Sequence, residues 1–170
     1  MREWRSDYDA VVAGSTRTNI ALANPYDVPV SVRLDVTTFD GQFVGSSKFI
    51  EIPANGQFGI FLDQIPGLEA VTAPFKGVVK AVITSGAGFT VAGFRTRLNE
   101  QGRLLMTTTG PLKEDAGSSA QLVFPHIAEG SGYTTQFIVV GGSSSQGRNS
   151  GVLSFFNQEG APLNVTLADQ

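Results

Sequence analysis

Cysteine is missing from this 170-residue sequence, so disulfides and thiolate metal sites are excluded. Histidine occurs once, at His126, which excludes a multi-histidine metal centre. Charge is scarce as well. Charged residues are 16% of the chain, against about 25% in an ordinary soluble domain. Lysine is confined to Lys48, Lys76, Lys80 and Lys113, and no run of like charge occurs. With a net charge of −3, the clustered basic face that nucleic acid requires is not available. No apolar run approaches the ~18–20 residues needed to cross a bilayer. The opening stretch, Met1 to Asp9, is polar and has no apolar core of a secretion signal. The preferred reading is that Met1 opens a piece cut from a longer secreted chain. Helical periodicity is almost absent too.

What is present is period-two alternation. Val30, Val32, Leu34 and Val36 share one face, with Ser31, Arg33, Asp35 and Thr37 on the other. Phe58, Ile60 and Leu62 alternate with Gln57, Gly59 and Phe61. In 90–98, Ala92, Phe94, Thr96 and Leu98 form the apolar row and oppose Arg95 and Arg97. One packed face and one wet face is the pattern of antiparallel layered sheets. Turn chemistry separates the runs: Asp40-Gly41, read as a two-residue type I′ turn, then Asn55-Gly56, 85–88, 99–102 and 158–160. Strands are expected near 8–13, 17–24, 30–39, 42–52, 57–62, 76–84, 89–98, 102–109, 120–125, 133–140, 151–157 and 163–167. A single helical turn is expected within 62–69, kept short by Pro66 and Gly67. Residues 111–119 read as a linker or long loop.

An internal repeat is also expected. Residues 18–24 (TNIALAN) align with 135–141 (TQFIVVG), and Phe39-Asp40 with Phe156-Asn157, both at an offset of 117 (135−18 and 156−39). The first copy, 8–112, carries about eight strands and makes a complete unit. The second, 118–170, carries four. Four strands in some 50 residues cannot bury enough apolar surface alone. The second copy must therefore pack on the first or be completed by another chain.

The phrases IALANPYDVPVSV (20–32), IPANGQFGIFLDQIPGL (52–68), GFRTRLNEQGRLLMTTTGP (93–111) and LVFPHIAEGSGYTTQFIVV (122–140) carry a resemblance. Together they resemble a β-sandwich repeat found in tandem in large secreted proteins of soil bacteria, over most of residues 16–168. The resemblance implies an extracellular structural or binding unit without a described activity, and it supplies no catalytic residues. Two departures stand out: the second copy lacks its closing strands, and Gly141-Gly142-Ser143-Ser144-Ser145 stands where the family tends to have an Asn-Pro like Asn24-Pro25.

Motifs for chemistry are missing. There is no G-x-S-x-G nucleophile elbow; 142–147 reads GSSSQG, and no phosphate-binding glycine motif occurs. His126, after Pro125, reads as a capping or packing residue. Asp7, Asp9, Asp35, Asp40, Asp63 and Glu51 could serve as paired carboxylates, but their outward or turn positions favour solvated surface acids. Asp7, Asp9 or Asp27 with loop carbonyls could form a calcium site, though no EF-hand loop exists. Ligand or partner contacts are assigned to Trp4, Tyr8, Tyr26 and Tyr133 as stacking rings and to Arg95 and Arg97 as an anion-binding pair. The bland reading gives these residues core packing, an anchored N-terminal arm and a solvated face. The expected architecture is all-β: an antiparallel, Ig-like β-sandwich of about twelve short strands with an internal repeat. The expected role is a non-catalytic structural or adhesive module without cofactors. Its partners would be neighbouring repeats or copies of itself, with polysaccharide as the alternative.

Overall fold

The structure, a computed structural model, describes residues 12–69, 71, 74–113, 122–133, 135–138 and 152–167, and the backbone of 4–6. Within these residues the chain is all-β and antiparallel, with eleven strands and one turn of 3-10 helix. Strict alternation makes the central strands. In β2 (Thr16–Ala23) and β3 (Val30–Thr37) every second residue is buried and its neighbours are half-buried.

Two sheets result. In the first, β1 (Trp4–Ser6) pairs with β7 (Phe75–Ser85), which pairs with β3. The other side of β3 is shared by β4 (Phe43–Ser46) and β5 (Ile50–Ile52). The second sheet has the order β6 (Gln57–Phe61), β2, β8 (Thr90–Leu98), β9 (Leu104–Thr109). Ile20 and Leu22 from the second sheet meet Val30, Val32, Leu34, Val36 and Val79 from the first in one core. Phe58, Ile60 and Val91 pack against it. This is sandwich-like layering, with each sheet closing the other's apolar side.

The segment after β6 seals the layers. The 3-10 turn Leu62–Gln64 is followed by turns in which Leu68 N–H donates to the Ile65 carbonyl (3.1 Å) and Val71 N–H to that of Leu68 (2.9 Å). Apolar residues three apart, Leu62, Ile65, Leu68 and Val71, are thereby buried one after another. The helical turn expected in 62–69 is where the sequence places it.

Several sequence expectations change in detail. The run 42–52 is not one strand: β4 and β5 pair with opposite ends of β3, and Ser47 bridges the break. Asp40-Gly41 belongs to a three-residue loop rather than a type I′ turn. Thr38 N–H donates to the Gln42 carbonyl (2.9 Å), and Gly41 (φ 85°) is the residue of that loop in the left-handed region. Val12 and Ala13 lie in a bend and turn; the N-terminal strand is Trp4–Ser6. Residues 122–125 form no strand. Of the four strands expected in 118–170, the described residues hold β10 (Phe155–Phe156) and β11 (Pro162–Leu163), paired as a hairpin. A further two-residue turn, Ser131-Gly132, closes a bridge between Gly130 and Tyr133 with both turn residues at positive φ (50° and 86°).

The largest correction concerns β8. Ile20 stands opposite Gly93 and Leu22 opposite Val91, and opposed residues share a face. The core side of β8 is therefore Val91, Gly93, Arg95 and Arg97. Phe94, Thr96 and Leu98 point to the outer side, beside Asn19 and Arg17. Alternation revealed a two-faced strand, but the more apolar row is not the buried one. Gly93 is the buried residue of the inner row, opposite Ile20, and the arginines continue that row opposite Thr18 and Thr16.

Candidate functional site

Five of the six residues singled out in the sequence lie among the described residues, on β1, on β8, in the loop after β2 and at the 130–133 turn. β8 carries Arg95 and Arg97 near its C-terminal end, facing the buried Thr18 and Thr16 of β2. Arg97 reaches out to Glu100, Nη2 to Oε1 at 2.5 Å, in an exposed pair across the β8–β9 turn. Tyr26 lies in the loop after β2, at the opposite end of the sheet. Thr90 and Arg97 are seven residues apart along β8, about 23 Å at ~3.3 Å per residue. The tyrosine and the arginine pair cannot share one small ligand.

Tyr26 is braced. Its ring lies against Gly88, where a Cβ would come within 3.0 Å of it. Its N–H donates to Asn24 Oδ1 (3.0 Å), and its carbonyl accepts from Asn55 N–H (2.9 Å). It remains 44% exposed, a fixed ring on a rigid loop. Tyr133 is 67% exposed and sits on the separate 130–133 hairpin. Trp4 lies in β1, whose backbone pairs with β7, so the arm folds back onto its own sheet. Tyr8, Asp7 and Asp9 fall outside the described residues.

Two electrostatic clusters escaped the sequence reading. On the outer side of the first sheet, Arg33 grips Asp35 with Nε to Oδ1 at 2.8 Å and Nη2 to Oδ2 at 2.9 Å. Ser46 on β4 donates to Asp35 Oδ1 (2.5 Å), and Lys80 on β7 stands opposite. Hydrogen bonding from Arg33 is the main force holding the Asp35 carboxyl below its ordinary value, and the Ser46 hydroxyl and the charges of Arg33 and Lys80 add to it against partial burial. On the second sheet, Arg17 is bidentate on Asp63 and its guanidinium lies 3.7 Å from the Phe61 ring centre. The Arg33–Asp35 pair was legible as i, i+2 neighbours on one strand face, whereas Arg17–Asp63 depends on how β2 lies against β6 and the turn after it.

Contacts occupy three of the six acids considered as paired carboxylates. Asp35 and Asp63 are held by arginines, and Asp40 bonds to Thr38. His126 is exposed, with no hydrogen bond to a serine or acid among the described residues. No group of three metal-ligating side chains occurs among the described residues. Two concavities among the described residues are open to solvent. One of about 660 Å³ runs over the small residues Ala21, Ala23, Gly59 and Ala92, and one of about 240 Å³ lies between Phe49, Phe58 and Pro66. Tyr26, Arg95, Arg97 and Tyr133 line neither of them.

The remaining features are surfaces. Among the described residues every buried apolar side chain lies between Ile20 and Val79. From residue 122 onward, Leu122, Val123, Phe124, Tyr133, Val152 and Phe156 are all more than half exposed. Phe137 is the centre of a small ring cluster there, edge-on to Phe124 (5.4 Å) and Phe155 (6.1 Å). Among the described residues no strand pairs with the outer side of β9, and its Leu104 and Met106 are exposed. In the described residues no helix is long and apolar enough to cross a membrane. Compared with protein-family models, curated proteins and solved structures, the chain finds no match in any of the three.

Proposed function

We propose that this chain is a non-catalytic structural or adhesive module, an Ig-like β-sandwich that works outside the cell and joins like units through open sheet edges. The observation that carries this reading is the contrast among the described residues: one closed core between Ile20 and Val79, and, from 122 onward, exposed apolar side chains such as Leu122, Val123, Phe124, Tyr133, Val152 and Phe156. Exposed apolar side chains in such number favour an interface.

The β10–β11 hairpin shares its loop geometry with the β3–β4 hairpin. In the β3–β4 loop Gly41 N–H donates to the Thr38 carbonyl (3.1 Å); in the β10–β11 loop Gly160 N–H donates to that of Asn157 (3.0 Å). Thr38 thus corresponds to Asn157, an offset of 119 (157−38), which shifts the pairing of Phe39-Asp40 with Phe156-Asn157 expected at 117 by two residues. The same loop joins β8 to β9 through Asn99 and Gly102, so it identifies a recurring hairpin rather than a repeat by itself. Resemblance to the tandem repeats of secreted soil-bacterial proteins supports the extracellular setting. Low charge and the many hydroxyls fit it.

Size-exclusion chromatography with light scattering tests the reading. Self-association that rises with concentration is expected; a chain that stays strictly monomeric at high concentration defeats it. The carbohydrate-binding alternative rests on Tyr133 and on the braced ring of Tyr26. Insoluble-polysaccharide pull-down with Tyr26→Ala and Tyr133→Ala decides that one: retention lost in either variant would favour a glycan platform.

A further inference from the structure

β9 ends its sheet. β8 pairs with one side of it, and no described strand pairs with the other. Its sequence, LLMTTT, contains no charge, no proline and no register shift, the devices that usually blunt an edge. Leu104 (57%), Leu105 (47%) and Met106 (63%) are exposed on both of its faces.

The backbone of that edge is aimed. Asn99 N–H donates to the Arg103 carbonyl at 2.9 Å, which makes 99 and 103 a hydrogen-bonded pair. Antiparallel ladders alternate, so Arg97–Leu105 and Arg95–Thr107 are hydrogen-bonded pairs as well. Leu104, Met106 and Thr108 consequently turn their N–H and C=O groups to the free side.

We infer that this edge pairs with the same edge of a second copy, antiparallel about a two-fold axis at Met106, joining two four-stranded sheets into one. The inference rests on the self-association reading and assigns it to a place. Three features select a second copy as the occupant. A two-fold axis perpendicular to the sheet keeps outer faces with outer faces, so residues of like parity must meet. Met106 then stands opposite itself, Leu104 opposite Thr108 and Leu105 opposite Thr107 of the other copy. In that register all three outward-turned residues fall in hydrogen-bonded pairs, giving about six new main-chain bonds. A strand paired with itself brings like charges together, which is destabilising; here the nearest charge, Arg103, falls opposite Thr109. The outer strip of Leu98, Leu104 and Met106 also meets its own counterpart.

Sedimentation equilibrium of the wild type, Met106→Pro and Met106→Cys tests this. Proline at Met106 removes an N–H that points to the free side, so the fold is expected to survive while association weakens by about tenfold or more. In a chain without cysteine, Met106→Cys is expected to give a covalent dimer on mild oxidation, because Cα atoms about 5.5 Å apart suit a disulfide. Thr107→Cys, displaced from its own counterpart by two residues, is expected to cross-link far less. A wild type that never associates overturns both this inference and the reading beneath it. A wild type that associates while Met106→Cys fails to cross-link overturns the edge assignment alone and moves the contact elsewhere, to the β10–β11 hairpin or another edge. If Met106→Pro fails to fold by circular dichroism, the cysteine pair decides.

Discussion

Ser47 takes both main-chain hydrogen bonds of Leu34. Its N–H donates to the Leu34 carbonyl (2.8 Å), and its hydroxyl accepts from the Leu34 N–H (2.9 Å). Between β4 and β5 the ladder breaks, and a side chain replaces the missing backbone acceptor. Leu34 is fully buried and Ser47 nearly so. Ser47→Ala therefore leaves a buried N–H with no acceptor and should cost about 1–3 kcal/mol. Ser46→Ala, one residue away, removes a hydroxyl from the outer Asp35 cluster and should cost less. Urea denaturation of the two variants checks the order. Equal costs would mean that water reaches Leu34.

Asn24 plays a similar part for the loops. It is 2% exposed; Nδ2 donates to the carbonyls of Val28 (2.7 Å), Pro53 (3.0 Å) and Ile52 (3.3 Å), and Oδ1 accepts from Tyr26 N–H. One amide thereby ties the loop after β2 to the loop after β5. Asn24→Ala should lose about 1–3 kcal/mol. Asn24→Asp should lose more at neutral pH, because a carboxylate would face three carbonyl oxygens. Its pKa would rise in the folded state, so the deficit should shrink as the pH falls from that raised value towards the unfolded carboxyl range, and level off below it. Melting temperatures at pH 7 and pH 4 separate the two substitutions, and a deficit in Asn24→Asp that is constant with pH refutes the account.

Asp35 runs the other way. Arg33 and its companions lower its pKa from 3.8. A carboxyl whose folded pKa is depressed contributes stability above its unfolded pKa and loses it as the pH falls through the folded one. The Arg33–Asp35 cluster should therefore support the first sheet above about pH 4 and fail below it. Asp35→Asn is expected to melt lower than wild type at pH 6, and the gap should close towards pH 2. A gap that persists unchanged at pH 2 would show that packing, not charge, is what the substitution disturbs.

The strands of the first hundred residues were legible because alternation is a local property. β2, β3, β6, β7, β8 and β9 fall close to where period two and turn residues put them. Which face of β8 goes inward was not legible. Phe94 and Leu98 make the more apolar row, yet register against β2 sends Arg95 and Arg97 to the core side. That choice is made by Gly93 over Ile20 and Val91 beside Leu22, cross-strand matters absent from a linear pattern. For the same reason Ser47 and Asn24, ordinary polar residues in sequence, gave no sign of closing buried ladders. The candidate contacts fared unevenly. Their rings and guanidinium groups were chosen by type, and the fold scatters Tyr26, Tyr133 and the arginine pair over separate elements, while the free edge at β9 emerges only from sheet order.

The β8–β9 turn sets the register of that edge, so it offers a last prediction. Asn99 Oδ1 accepts from Gln101 N–H (3.0 Å) and Arg103 N–H (2.8 Å), and Gly102 sits at φ 71° with open space around it. A methyl group at position 102 meets no atom, so the cost of Gly102→Ala is conformational alone, about 1 kcal/mol for an L-residue held in the left-handed region. Asn tolerates that region better, and Gly102→Asn should recover part of the loss. Asn99→Ala should cost a further ~1 kcal/mol through its two lost acceptor bonds. Because Gly160 and Asn157 repeat this geometry, Gly160→Ala poses the same strain in the β10–β11 hairpin. If that hairpin stands outside the cooperative core, Gly160→Ala should leave the main unfolding transition unmoved while Gly102→Ala lowers it. Calorimetry of the two variants compares them directly; an equal fall in both would show that the residues beyond 150 unfold together with the first two sheets.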